Sequence, residues 1–108
     1  MAAYVLSEVE ILDEQESQNY RRLAAASIAE YGGRYLARGA EAYVAEGAPP
    51  EGRIVLVEFP SMERIYEWYT SPAYAKALQF RERALKRRLT FFEGILPAIP
   101  RPQCGTPA

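Results

Sequence analysis

"RIVLVEF", Arg53 to Phe59, is the stretch of sequence that decides the fold. Successive side chains of a β-strand point to opposite faces of its sheet. Ile54 and Leu56 would therefore point to one face, while Val55 and Val57 would point to the other. A strand that is apolar on both faces is typical of a sheet that is covered on both faces. The stretch thus predicts a β-sheet lying between two layers.

Three further strands are expected around this one. "AYVLSEVEI" (Ala3 to Ile11) is rich in strand-forming residues, and a strand beginning at Arg34 contains Gly39 as an expected bulge. "LTFFEG" (Leu89 to Gly94) repeats the two-faced apolar pattern and is the expected last strand. The sheet therefore has four predicted strands.

The first predicted helix has signals at both ends. Asp13 with Glu16 three residues later resembles a capping box, and Gly32 suits the left-handed position that ends a helix. Gly33 then lets the chain reverse tightly into the next strand. Between these ends, apolar and small residues recur at helical spacing: Tyr20, Leu23, Ala24, Ser27, Ile28 and Tyr31.

The second helical region is expected in two pieces. It begins near Ser61 and breaks at Thr70. Ser71 followed by Pro72 is a cap followed by a proline at the first helical position. A new helix is therefore predicted from Pro72 to about Arg87.

The resulting order, βαββαβ, predicts an α+β ferredoxin-like fold with a four-stranded antiparallel sheet and both helical regions on one face. The domain is expected to span residues 1–95, followed by a Pro-rich tail over residues 96–108. Since the helices cover one face only, a second copy of the chain is the expected cover for the other. The sequence thus predicts a homodimer.

Composition excludes several classes of function. No apolar run approaches the ~20 residues of a membrane-spanning helix, and the N-terminus lacks the pattern of a signal peptide, so a cytoplasmic location is expected. Positive charge collects in residues 76–88, but the chain's net charge of -1 argues against nucleic-acid binding. With no histidine and a single cysteine, Cys104, the usual ligands of haem and zinc are missing. We expect no cofactor and no metal.

Four features together resemble a known family. They are "YGGRYLARG", "VEFPS", "WYTSPAY" and Arg81, which lies seven residues after Tyr74. The chain is similar through them to the family catalogued as domain of unknown function 1330, in the dimeric α/β-barrel superfamily, over about residues 2–95. The resemblance implies two ferredoxin-like protomers packed sheet to sheet into a barrel. It also implies, by analogy within the superfamily, cofactor-independent oxygenase-like or isomerase-like chemistry.

Arg81 is the most informative single residue. On a helix it would be the sole charge in the stripe formed by Tyr74, Ala77, Leu78 and Leu85. An unpaired cation in an apolar layer costs several kcal/mol, so an anion should meet it. Two alternatives stay open: Arg81 snorkels or pairs with a carboxylate such as Glu58, or it binds a carboxylate or enolate ligand.

The pocket hypothesis assigns roles to particular residues. By analogy within the superfamily, Arg81 would stabilise an oxyanion and Glu58 or a tyrosine would act as base, with Arg81 and Glu58 as the candidate catalytic residues. The candidate ligand-binding residues are mainly aromatic, with two arginines: Tyr20, Tyr31, Arg34, Tyr35, Trp68, Tyr69, Tyr74 and Arg81. The alternative hypothesis is a noncatalytic dimeric interaction module in which these aromatic residues form the core.

Overall fold

The computed structural model describes residues 1–49 and 52–98 of the chain. In these ranges the chain forms four strands and three helices, in the order β1 (Ala3–Ile11), α1 (Glu14–Glu30), β2 (Arg34–Ala40), β3 (Arg53–Phe59), α2 (Met62–Tyr69), α3 (Pro72–Ala84) and β4 (Leu85–Glu93). The strands form one antiparallel sheet in the order β2-β3-β1-β4. The predicted α+β ferredoxin-like fold is confirmed. Cys104 and most of the predicted tail lie outside the described residues.

The predicted starts of α1 and α3 are confirmed by their caps. Asp13 Oδ1 accepts a hydrogen bond from the backbone N–H of Glu16 at 3.0 Å. Ser71 Oγ accepts one from the N–H of Tyr74 at 3.1 Å, directly before Pro72 at the start of α3. These side-chain oxygens satisfy backbone donors that have no partner within the helix.

The glycine pair after α1 has the two roles expected of it. Gly32 has a φ of 83°, in the left-handed region that other residues avoid. A β-carbon at Gly33 would lie 2.7 Å from Ile28 Cγ2 and 2.9 Å from Phe59 Cε1. Only glycine therefore lets the chain turn this closely against the core. The predicted bulge at Gly39 is also present, as a shift in the β2–β3 register.

The prediction that the last helix continues to Arg87 is wrong. α3 ends at Ala84, and β4 begins at the next residue, Leu85. β4 pairs with β1 along its whole length, from Ile11 opposite Leu85 to Ala3 opposite Glu93. This continuous ladder outweighs the helix propensity of the basic residues in the segment. As a consequence, Arg87 lies on a strand and faces the helices.

The sheet has one covered and one open face. Val5 on β1, Val57 on β3 and Phe91 on β4 are opposite one another and face the helices, where the core lies. The strand positions between them form the open face. Its apolar members are half-buried or exposed, and they are Tyr4, Leu6, Ile54, Leu56 and Phe92.

No helix within residues 1–49 and 52–98 has both the length and the apolar character needed to cross a membrane.

Candidate functional site

A cavity of about 600 Å³ lies between α1 and the covered face of the sheet. Its floor comes from all four strands, and its wall comes from α1 and from Trp68 of α2. Its volume is within the range of small-molecule sites.

One end of the cavity is apolar. Val5 and Val57 form the floor there, while Ile28 and Trp68 form the wall. The Trp68 indole N–H donates to Ser27 Oγ at 3.0 Å, and the Ser27 hydroxyl donates to the carbonyl of Ala24 at 2.8 Å. These bonds fix the position of the indole ring. A ligand at this end would contact a rigid hydrophobic surface.

The other end of the cavity is basic, and its innermost charge is Arg87. Arg87 lies opposite Val9 on the covered face, and its guanidinium donates a short hydrogen bond to the Tyr20 hydroxyl. A 2.6 Å hydrogen bond joins the hydroxyls of Tyr20 and Tyr74. No carboxylate among residues 1–49 and 52–98 forms an ion pair with Arg87. A guanidinium has five N–H donors, so Arg87 retains donors for a ligand.

The electrostatics of this group of residues keep Arg87 charged and Tyr20 neutral. Burial disfavours the charged form of Arg87, but Tyr20 and Tyr74 outweigh that effect and hold the Arg87 pKa above its ordinary value. Burial, and then the neighbouring Tyr74, raise the pKa of Tyr20 far above its ordinary value of 10.0. The Tyr20 hydroxyl is therefore neutral at pH 7. It can orient Arg87 or bind a ligand oxygen, but it is a poor general base.

A second arginine without a carboxylate partner in the described part of the chain lies across the sheet. The Arg38 guanidinium lies 4.4 Å from the centroid of the Tyr35 ring, a cation–π contact, and both residues line the cavity. Burial raises the pKa of the Tyr35 hydroxyl. Two other lining arginines are already paired: Arg53 with Glu41 at 3.3 Å, and Arg21 with a carboxylate of its own helix at 3.1 Å.

Five of the predicted ligand-binding residues are aromatic and lie in or near this region. Tyr20, Tyr35 and Trp68 line the cavity. Tyr74 is fully buried behind Tyr20, and Tyr69 packs on Tyr74 with ring centroids 5.9 Å apart but is 41% exposed. The first three are in position to contact a ligand, and the other two support them.

The remaining predicted residues lie away from the cavity. Tyr31 is the C-terminal cap of α1. Arg34 and Glu58 are opposite each other on β2 and β3, on the open face, where Arg34 Nε lies 3.0 Å from Glu58 Oε1. Arg81 is half-buried on α3 and does not line the cavity. The sheet separates Arg81 from Glu58, so the structure does not bring the two candidate catalytic residues together.

Comparison with known proteins agrees with this architecture. The model of the family described as "Domain of unknown function (DUF1330)" matches residues 2–95. No curated protein matches the chain.

Solved structures with a similar fold share little sequence with this chain. A protein of unknown function from Rhodopseudomonas palustris is 19% identical, with a TM-score of 0.72, over 89% of this chain and 84% of that chain. SnoaB, a cofactor-independent oxygenase from Streptomyces nogalater, is 10% identical, with a TM-score of 0.60, over 93% of this chain and 98% of that chain. A putative antibiotic biosynthesis monooxygenase from Nitrosomonas europaea is 14% identical, with a TM-score of 0.51, over 89% of this chain and 100% of that chain. At these identities the similarity shows the fold.

Proposed function

The chain belongs to the DUF1330 family, and from the geometry of its cavity we propose that it binds a small organic anion, a carboxylate or an enolate, between α1 and the sheet. The observation that carries this proposal is Arg87. Its guanidinium faces a cavity, is oriented by the Tyr20 hydroxyl and has no carboxylate partner in the described part of the chain.

The charge of Arg87 is the first argument for an anionic ligand. Guanidinium groups bind carboxylates through two parallel hydrogen bonds, which are stronger than bonds between neutral groups. A cation withdrawn from water is costly unless an anion compensates it. The Tyr20 hydroxyl is a neutral partner and does not supply that charge. A carboxylate or enolate oxygen of a ligand would supply the compensating negative charge.

The apolar end of the cavity is the second argument. Trp68 and Ile28 would contact a hydrocarbon or aromatic body while the anionic group of the ligand met Arg87. An enolate is included because an arginine can stabilise a developing oxyanion, and because SnoaB, which has a similar fold, is a cofactor-independent oxygenase. Catalysis of that kind is a proposal by analogy of fold alone.

The experiment is a thermal-shift screen with small carboxylates, followed by calorimetry on those that raise the melting temperature. Arg87→Met should weaken binding by at least about tenfold, since a charge-assisted hydrogen bond contributes roughly 1.5–3 kcal/mol. Arg87→Lys keeps the charge but loses the planar guanidinium and its paired donors, so an intermediate loss of affinity is expected. The matched control is Arg83→Met, which removes one exposed cation from α3 and should leave affinity within about twofold.

Two outcomes would contradict the proposal. One is a screen in which no carboxylate stabilises the wild-type protein. The other is binding that survives Arg87→Met but is lost in Arg81→Met, which would favour the site predicted from the sequence. The first outcome, with an Arg87→Met variant that is strongly destabilised, would favour the noncatalytic interaction module.

We also propose that a second copy of the chain covers the open face of the sheet. Tyr4, Leu6 and Leu56 leave an apolar surface there, and Tyr4 and Phe92 stack with ring centroids 5.4 Å apart. Large exposed apolar patches on soluble proteins mark interaction sites. The arrangement would be a homodimer with its two cavities on the outer sides of the paired sheets.

A further inference from the structure

The Ser17 side chain is a buried polar group with no hydrogen-bond partner in the described part of the chain. Ser17 is 1% exposed, and its hydroxyl forms no hydrogen bond with any atom of the described residues. It lies in the second turn of α1 and lines the cavity. Buried hydroxyls in folded proteins are normally hydrogen-bonded, so each exception calls for an explanation.

A second hydroxyl lies on the floor of the same cavity. Ser7 is on β1, opposite Val55 on one side and Leu89 on the other, and it is 7% exposed. It too has no hydrogen-bond partner within residues 1–49 and 52–98. A serine among valines and leucines on the central strand of a sheet is a poor choice for hydrophobic packing. It supplies a donor and an acceptor to the cavity instead.

Both hydroxyls are close to the Tyr20–Arg87 pair. Ser17 precedes Tyr20 by three residues, and residues at this spacing lie about 5–6 Å apart on one face of a helix. Ser7 is the diagonal neighbour of Arg87, because Leu89 pairs with Ser7 while Arg87 pairs with Val9. Diagonal neighbours lie about 7–8 Å apart across a pair of strands. The Tyr20–Arg87 pair thus has one serine near it on the helix and one on the adjacent strand.

We infer that the ligand is an oxygenated organic acid, one that carries a hydroxyl or oxo group near its anionic group, and that Ser17 and Ser7 bind this second oxygen. The inference rests on the proposed function of the cavity. A plain hydrocarbon acid would pair Arg87 but would offer no oxygen to either hydroxyl. A site built to hydrogen-bond a ligand oxygen discriminates strongly against the analogue that lacks it.

The experiment compares acids of nearly equal size in calorimetric titrations. Phenylacetate serves as the plain acid; mandelate, phenylglyoxylate and 2-hydroxyphenylacetate place a hydroxyl or oxo group near the carboxylate. At least one oxygenated acid should bind the wild-type protein about tenfold more tightly than phenylacetate. Ser17→Ala or Ser7→Ala should reduce that preference to about twofold without weakening phenylacetate binding. The control is Gln18→Ala, which removes an exposed polar side chain next to Ser17 on the same helix and should preserve the preference.

Thermal melting of the free variants separates binding from a structural role. Removing a hydroxyl that has no partner should leave the melting temperature of Ser17→Ala equal to or above that of the wild type.

Each outcome has a distinct meaning. If phenylacetate and the oxygenated acids bind equally in an Arg87-dependent manner, the proposed function holds and this inference is overturned. A preference that survives both serine variants also overturns it, because neither hydroxyl would then contribute to the preference. If no acid binds, the proposed function and the inference fall together.

Discussion

Glu58 is a buried carboxylate that forms an ion pair with Arg34. Its side chain is 4% exposed and lies 3.0 Å from Arg34 Nε, and Arg34 itself is 26% exposed. A buried carboxylate that loses its cation is left without a compensating charge, which strongly lowers stability. Replacing both members of a buried pair by apolar residues often lowers stability only a little. The pair is therefore a sensitive point for stability.

We expect Arg34→Met to lower the free energy of unfolding by about 3 kcal/mol, and the double variant Arg34→Met, Glu58→Met to recover most of that loss. Urea denaturation of the two single variants and the double variant measures the coupling. The control is Arg64→Met, which breaks an exposed pair with Glu67 at 3.7 Å and should cost less than about 0.5 kcal/mol. Simple additivity of the Arg34 and Glu58 changes would contradict the pairing.

At the scale of elements, Ser71 joins two helices. Its hydroxyl donates to the carbonyl of Trp68 at the end of α2, at 2.7 Å, and accepts from the N–H of Tyr74 in α3. Ser61 caps α2 through a single bond, from the N–H of Arg64 at 3.2 Å. Ser71 is also buried, at 4% exposed.

Ser71→Ala is expected to destabilise the protein by about 2 kcal/mol, and Ser61→Ala by about 1 kcal/mol. The difference reflects the second hydrogen bond of the buried Ser71 hydroxyl, to the Trp68 carbonyl, which in the variant keeps only backbone donors such as the Ser71 N–H at 3.1 Å. Thermal or urea unfolding of both variants provides the comparison. Equal losses in the two variants would show that the bond to Trp68 contributes nothing.

Elements whose ends carry local signals could be predicted from sequence. Asp13, Ser71 and Gly32 mark helix ends by side-chain or backbone chemistry that acts within a few residues. The end of α3 carries no such signal, because β4 follows it without a connecting residue and its register depends on β1, more than seventy positions earlier in the chain. The helical stripe that contains Arg81 and Leu85 therefore extended too far in the prediction.

This one boundary explains why the sequence analysis selected Arg81 and not Arg87. With residues 85–87 placed on a helix, Arg87 is one of the several basic residues of the segment 76–88, and Arg81 is the sole charge of the apolar stripe. On a strand, Leu85, Arg87 and Leu89 alternate inward, a pattern of period two that could have identified Arg87. The aromatic candidates Tyr20, Tyr35 and Trp68 line the cavity, since their spacing fixed their faces within their own elements, and their role in ligand binding stays a prediction.

At the scale of the whole molecule, the open face predicts an assembly. Light scattering at micromolar concentration should give about twice the 12.2 kDa mass of the chain. Leu56→Lys, at the middle of the open face, should shift the protein to a monomer by placing a charge where the second sheet would pack. Gln79→Lys adds the same charge to an exposed position on α3 and should leave the dimer intact. A wild-type protein of single-chain mass would contradict the proposed homodimer.

The direct junction between Ala84 and Leu85 also affects how this protein could evolve. Since α3 passes into β4 with no loop, inserting or deleting one residue there would shift the strand by one position and exchange its two faces. Lys86, Arg87 and Arg88 are consecutive, so an insertion would turn Lys86 toward the cavity and a deletion would turn Arg88 there. The cavity would keep a cation in either case, while the neighbouring leucines would be lost from its floor. Length variation at this junction would therefore alter the shape of the accepted ligand before it altered the ligand's charge.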